Sequence, residues 1–197
     1  MPGKPAPSYR QRWLLPALIV ILSLTVGGGL LAREVYRKPQ PEDTGEVAAT
    51  SVSTLPPEQQ PGPPTVQLTP DAAAHPEDQR VRQLLQTYFD AINGRSYDRW
   101  KTVVTSARIQ SQPRDEWLAN YRTTHDGSIL VYRIEGLPRQ QLQILVAFTS
   151  VQDPADAPPE LPERCIRWRL VLPAVWEGNA WKLDIVPAGT SPEHVKC

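Results

Sequence analysis

The sequence predicts an α+β domain: three N-terminal helices packed on a curved antiparallel sheet of about four strands, preceded by one transmembrane helix and a disordered linker. Three observations predict it. Residues 13–32 carry no charge, residues 33–76 show no hydrophobic period, and from residue 77 apolar residues recur first at helical spacing and then at every second position. The expected layout is a cytoplasmic tail over 1–12, a membrane helix over 13–32, a Pro-rich acidic linker over 33–76 and a folded domain over 77–197.

The segment "WLLPALIVILSLTVGGGLLA" runs from Trp13 to Ala32. Twenty helical residues at 1.5 Å each reach roughly 30 Å, the thickness of the hydrocarbon core of a bilayer. Pro16 falls in the first turn, where a missing N–H costs little, and glycines such as Gly27 to Gly29 are common in membrane helices. The competing reading is a cleaved signal peptide. Its apolar region is normally shorter and ends in a small-x-small site, whereas cleavage after Ala32 would place bulky Leu30 at the minus-three position. No cysteine follows the apolar run, so a lipoprotein anchor is excluded. Lys4, Arg10 and Arg12 before the span balance Arg33, Arg37 and Lys38 after it, so positive charge alone does not orient it. The short N-terminal tail and the long acidic C-terminal side favour a cytoplasmic N-terminus and an extracytoplasmic domain, with the lipid bilayer engaged through Trp13–Ala32.

The net charge of zero is a sum of unlike parts. Residues 1–38 carry six Lys/Arg and one Glu, residues 39–76 five Asp/Glu and no Lys or Arg, and residues 77–197 fifteen of each sign. A balanced domain lacks the basic footprint of a nucleic-acid binder, so no nucleic-acid partner is expected. Nine of the 22 prolines fall between Pro39 and Pro76. With little aliphatic content this stretch cannot offset its chain entropy, and it reads as an extended tether. The alternative is that "PPEQQPGPP" docks in a partner's proline-binding groove.

From Pro76 the pattern changes. Val81, Leu84, Leu85, Tyr88, Phe89 and Ile92 fall on one helical face, ended by Asn93-Gly94. Ser96 is placed to cap a second short helix with Tyr97, Trp100, Val103 and Val104 inward. A third begins at Pro113, with Trp117, Leu118 and Tyr121 on its buried side. Strands are expected over 128–137, 141–150, 164–172 and 180–186. The second alternates Leu142, Ile144, Val146 and Phe148 inward; the third does the same with Ile166, Trp168, Leu170 and Leu172; the fourth presents Trp181, Leu183 and Ile185. "EGN" at 177–179 joins the last two as a hairpin. Trp168 and Trp181 are expected in the core.

Tyr88-Phe89-x-x-Ile92-Asn93 with Tyr97 downstream, and Trp181-Lys182-Leu183-Asp184 closing a "W-x-G-x-x-W-x-L-D" pattern, resemble the cone-shaped nuclear-transport-factor-2-like superfamily over residues 77–187. The layout is similar to membrane-anchored extracytoplasmic actinobacterial domains such as Mce-associated membrane proteins, to inner-membrane components of type IV secretion, and to N-terminal modules of some penicillin-binding proteins. The resemblance implies a cone whose cavity is lined by Tyr88, Trp117, Tyr121 and Trp168. It also implies a place to look for chemistry, because enzymes of the superfamily, ketosteroid isomerase and polyketide cyclases among them, put Asp or His in that cavity.

No acid–base pair is read there. Asp184 falls on the strand face opposite Trp181 and Leu183, Asp90 lies beside the apolar stripe of its helix, and His125-Asp126-Gly127 reads as turn chemistry. Three His and two Cys show no ligand spacing, and the loop acids Asp153, Asp156, Glu160 and Glu163 lack a Gly-centred calcium pattern. Neither a metal nor any other cofactor is expected. Cys165 and the terminal Cys197 are expected to form a disulfide, because the hairpin register puts Cys165 across from about residue 192, and Gly189 and Pro192 let the tail turn back. A covalent dimer through Cys197 and a buried free Cys165 are the alternatives. Disulfides persist in oxidising compartments, consistent with a domain outside the cytoplasm.

Two function classes remain. The preferred expectation is a non-catalytic interaction or accessory domain that binds another cell-envelope protein, because the bulky aromatics are large enough to plug the cone. The other is a small-ligand cup using the cavity; an isomerase- or cyclase-like enzyme is a more distant third. An open aromatic cavity would favour the cup, and a filled cone with an outer apolar patch the interaction domain.

Overall fold

The computed structural model describes residues 55–56, 59–187, 189–190 and 192–197. The tail, the span Trp13–Ala32 and most of the linker lie outside the described residues. Among the described residues no helix is long and apolar enough to cross a membrane.

The domain is α+β, and its sheet is mostly antiparallel. The elements are β1 (Gln67–Leu68), α1 (Pro70–Ala73), α2 (Asp78–Asn93), α3 (Tyr97–Lys101), α4 (Ser106–Ser111), α5 (Arg114–Asn120), β2 (His125–Leu137), β3 (Gln141–Val151), β4 (Cys165–Glu177), β5 (Ala180–Leu183) and β6 (Glu193–Lys196). The sheet order is β1-β2-β3-β4-β5. Strand β6 also pairs with β4, through Ile166↔Lys196 to Arg169↔Glu193, so β5 and β6 lie end to end along one edge. The two strands beyond the expected four are β1 and β6, each too short to show a period.

The apolar stripe of α2 is buried along its length: Val81, Leu84, Leu85, Tyr88, Phe89 and Ile92 all lie in the core. It packs on the inward residues of the strands, among them Ile129 and Val131 of β2, Ile144 and Val146 of β3, Leu172 of β4 and Leu183 of β5. A second aromatic layer sits beside it. Trp100 stacks on Tyr97 at 5.3 Å between ring centroids, and Trp117 lies 5.6 Å from each.

Three local expectations are corrected. Ser96 makes no capping bond to α3; the threonine hydroxyls do this work elsewhere, Thr69 capping α1 and Thr105 capping the unexpected helix α4. Strand β5 stops at Leu183, so Ile185 is exposed rather than in the core. Trp168 and Trp181 are only half-buried, and the fully buried tryptophans are Trp100 and Trp117. Between β4 and β5, Gly178 and Asn179 both take positive φ (60° and 67°), as a two-residue hairpin turn of the primed kind requires.

The linker also ends earlier than the composition suggests. Val66 and Ala72 are fully buried, β1 pairs in parallel with β2 at Gln67↔Leu130 and Leu68↔Val131, and Gln86 of α2 holds the segment by accepting from the Val66 N–H at 2.9 Å and donating to the Pro64 carbonyl. Residues from about 59 onward therefore belong to the folded domain. Two apolar anchors and a few backbone bonds to an existing sheet edge leave no periodic signature.

The proline-rich stretch is itself used internally. The Ser128 N–H donates to the Pro63 carbonyl and its hydroxyl to the Pro61 carbonyl, both at 2.8 Å. Gly127 makes that approach possible: a Cβ there would meet the Gly62 oxygen at 2.4 Å and the Pro61 oxygen at 2.8 Å. Gly127→Ala is expected to push residues 60–63 off the sheet at a cost of roughly 1–3 kcal/mol. Hydrogen exchange should show the Ser128 amide deprotected; unchanged protection there would contradict this docking.

Cys165 and Cys197 are joined in a disulfide, with Cα atoms 5.4 Å apart and 32 residues of separation. The Cys197 N–H also donates to the Cys165 carbonyl at 3.1 Å. The bond fixes β6 against β4, and His194 of β6 packs on the Trp168 ring at 5.0 Å. Removing it by Cys197→Ser is expected to lower stability by about 2–4 kcal/mol through loop-closure entropy. Chemical denaturation in oxidising buffer checks this; equal midpoints for variant and parent would show that the tail contributes no constraint.

Candidate functional site

Helix α2, at 1.5 Å per residue, is roughly 24 Å long, while the eleven residues of β3 extend roughly 36 Å. The helical layer thus leaves part of the inner sheet face uncovered. The inward series of β3 shows where cover ends: Leu142, Ile144 and Val146 are buried beneath helices, Phe148 is half-buried, and Ser150 is the next inward residue. Over this end lies a cavity of about 610 Å³. Its aromatic wall is Tyr88 and Phe89 of α2, Tyr121 after α5, Phe148 of β3 and Trp168 of β4. Phe148 bridges Phe89 (5.0 Å) and Trp168 (6.4 Å).

Of the four residues expected to line a cavity, Tyr88, Tyr121 and Trp168 do so. Trp117 does not: it is fully buried behind Tyr121, 5.1 Å from it, and belongs to the closed core. The aromatics therefore wall the space without filling it.

The residue that sequence reasoning missed is Asp126. Strand β2 begins at His125, three residues before the expected start, and this turns Asp126 from a turn residue into an inward strand residue. Asn93, the last residue of α2, clamps its backbone: Asn93 Oδ1 accepts from the Asp126 N–H at 2.7 Å and Asn93 Nδ2 donates to the Asp126 carbonyl at 2.9 Å. The register sets Asp126 directly across from Ser150, whose hydroxyl donates to Asp126 Oδ1. Asp126 is 4% exposed and lines the cavity. Among the described residues no cation pairs with it, and Oδ2 makes no hydrogen bond. Burial pushes this carboxyl up to about 7, against the smaller opposing effect of the Ser150 hydroxyl. A signal existed in the sequence: the inward series of β3 continues past Phe148 to Ser150, a polar residue on a core-facing register.

The remaining polar groups are held by neighbours. Arg108 of α4 donates to the Tyr88 hydroxyl at 3.0 Å and lies over its ring. Burial, with the Tyr88 hydroxyl beside it, holds the Tyr121 hydroxyl well above its usual range. At the mouth, Asp156 accepts from the Thr123 hydroxyl at 2.7 Å and pairs with Arg122, and these two keep its carboxyl below the usual range. Asp153 caps the short turn at Pro154–Asp156, and Glu163 pairs with Lys196 at 3.0 Å. Asp184 is held by α4: its carboxylate accepts from the Thr105 hydroxyl at 2.9 Å, while its carbonyl accepts from Arg108. Asp90 pairs with Arg99 at 3.0 Å, outside the cavity.

No family model matches the chain, and no curated protein matches it.

Proposed function

We propose that the domain is a binding cup for a small, largely apolar molecule, held outside the cytoplasm by the anchor Trp13–Ala32 in the manner of the cone-shaped, membrane-anchored domains it resembles. The observation that carries this reading is the cavity itself. About 610 Å³ lies within the range of small-molecule sites, which are mostly apolar with a few convergent polar groups. Aromatic rings supply the apolar wall here, and Asp126, Ser150 and Gln152 supply the polar side. A plugged cone would have favoured the interaction domain instead. The disulfide fits an oxidising compartment, which supports the extracytoplasmic placement. No catalysis is needed for this reading, and no cofactor enters it.

The test uses the full chain in lipid nanodiscs and a neutral cage alcohol, 1-adamantanol, followed by calorimetry. Saturable binding near one per chain is expected, and Ala157→Trp, at the half-buried mouth of the cavity, should abolish it. Binding that survives Ala157→Trp, or absence of binding by both 1-adamantanol and its amine analogue 1-aminoadamantane, would overturn the cup.

One observation keeps the interaction reading in view. Val171 of β4, Ile185 and Val186 just after β5, and Val195 of β6 are exposed large apolar residues, and exposed apolar surface can meet an envelope protein. Crosslinking in native membranes, with neighbours identified by mass spectrometry, addresses it separately.

A further inference from the structure

We propose that the cup selects an organic cation, an apolar amine or quaternary ammonium whose charge sits against the Asp126 carboxylate while its hydrocarbon fills the aromatic end. This rests on the cup reading and deepens it.

Three observations converge. Asp126 is 4% exposed, faces the cavity and has no cationic partner among the described residues. A buried charge is tolerated when it is paired, and the open side of Oδ2 is the side a ligand would occupy. The charge of the lining has one sign: it includes Asp126 and Asp156 and no Lys, Arg or His. The wall then supplies the rings of Tyr88, Tyr121, Phe148 and Trp168, aromatic surface that takes hydrocarbon and attracts an alkylammonium, although one face of Tyr88 is taken by Arg108 and one of Trp168 by His194. An anion would meet the Asp126 carboxyl with no cation in the lining to offset it; Asp156 at the mouth is already paired by Arg122. A neutral carbonyl or hydroxyl ligand would use Asp126 in its protonated form, with the opposite dependence on pH.

The surroundings of Asp126 are sparse enough for that dependence to be read. Tyr88 from α2 and Tyr121 after α5 face it as hydroxyls, and Arg108 from α4 is engaged by Tyr88 and by the Asp184 carbonyl. Asp156 at the mouth is held by Arg122. His125, next in the chain, contacts Arg95, and His194 of β6 packs on Trp168 beside Glu160. With the carboxyl at about 7, a cation competes with a proton below that pH. An alkylammonium itself stays charged to about pH 10.

The experiment compares three probes that share one hydrocarbon cage: 1-aminoadamantane, 1-adamantanol and adamantane-1-carboxylate. Each is titrated into the full chain in nanodiscs of zwitterionic lipid. At pH 8 the amine is expected to bind at least about tenfold tighter than the alcohol, and the carboxylate weakest. Between pH 8 and pH 6 the amine should weaken about tenfold as Asp126 takes up its proton, while the alcohol should not weaken. In Asp126→Asn the preference for the amine over the alcohol should vanish, with the thermal transition of the variant reporting an intact fold. Alcohol binding equal to or tighter than amine binding at pH 8 would overturn the cation proposal and leave the cup standing. Failure of all three probes to bind would overturn both. Should Asp126→Asn not fold, the pH dependence of the wild-type chain decides alone.

Discussion

Trp100→Ala is expected to destabilise the domain by ~3–5 kcal/mol, a large share of the stability of a domain this size. Trp100 is fully buried, and so is Trp117, and neither indole N–H finds an acceptor among the described residues. Deleting the Trp100 ring removes the contact that spaces α3 from α5 and leaves Tyr97, 5.3 Å away, facing a void. Trp100→Phe isolates the packing contribution, since phenylalanine keeps most of the ring and removes the unpaired N–H. It should cost less than about 1.5 kcal/mol. Urea denaturation of both variants checks the pair. If alanine and phenylalanine are equally damaging, the ring that phenylalanine keeps contributes nothing and the packing argument is wrong. Trp168→Ala, at a cavity wall, should cost less than Trp100→Ala, the reverse of what an all-core reading of the strand tryptophans implies.

Asp126→Asn is expected to stabilise the domain at alkaline pH. Burial raises the folded-state carboxyl from 3.8 to about 7, so between those values the folded chain holds a proton that the unfolded chain has lost. Its contribution is fully present below about pH 4 and is lost as pH rises through 7. A rise from 3.8 to about 7 corresponds to roughly 4 kcal/mol as an upper limit. The carboxyls of Glu77, Asp98, Asp156 and Glu177 are lowered by hydrogen-bonding neighbours. They act in the opposite sense, gaining stability as pH rises through the carboxylate range. The difference between wild type and variant cancels them. That difference should be near zero at pH 4 and reach a few kcal/mol at pH 8.5, with the asparagine chain the more stable. Parallel stability curves across this range would show that Asp126 titrates like an ordinary carboxylate.

What was legible in the sequence was whatever repeats. The stripe from Val81 to Ile92 and the alternation from Leu142 to Phe148 are set by the core they face, and both fall as the spacing requires. The disulfide was legible because only one partner exists for Cys197. Features carried by single residues were not. Val66 and Ala72 anchor a proline-rich segment with no repeat around them. Asp126-Gly127 has turn composition, but Gly127 is required by the backbone of Pro61 and Gly62 passing close to it, a contact 65 residues distant in the chain. Once that glycine is a strand residue, Asp126 turns inward and the site appears. Trp117 and Trp168 are both apolar-face residues in the sequence; Trp117, on α5, is enclosed by Tyr97, Trp100 and Tyr121, whereas Trp168, on β4, borders the cavity, a difference of tertiary packing that neither period shows.

Fluorine NMR of the full chain labelled with 5-fluorotryptophan gives one signal for each of the six tryptophans. Trp168 lines the cavity, Trp176 lies outside it on the β4–β5 hairpin, and Trp100 is buried beneath the helices. Adding 1-aminoadamantane at pH 8 is predicted to move the Trp168 resonance in a saturable way and to leave Trp176 in place. Movement of Trp176 with Trp168 unchanged, or no movement of any signal, would contradict the claim that this domain is an open cup.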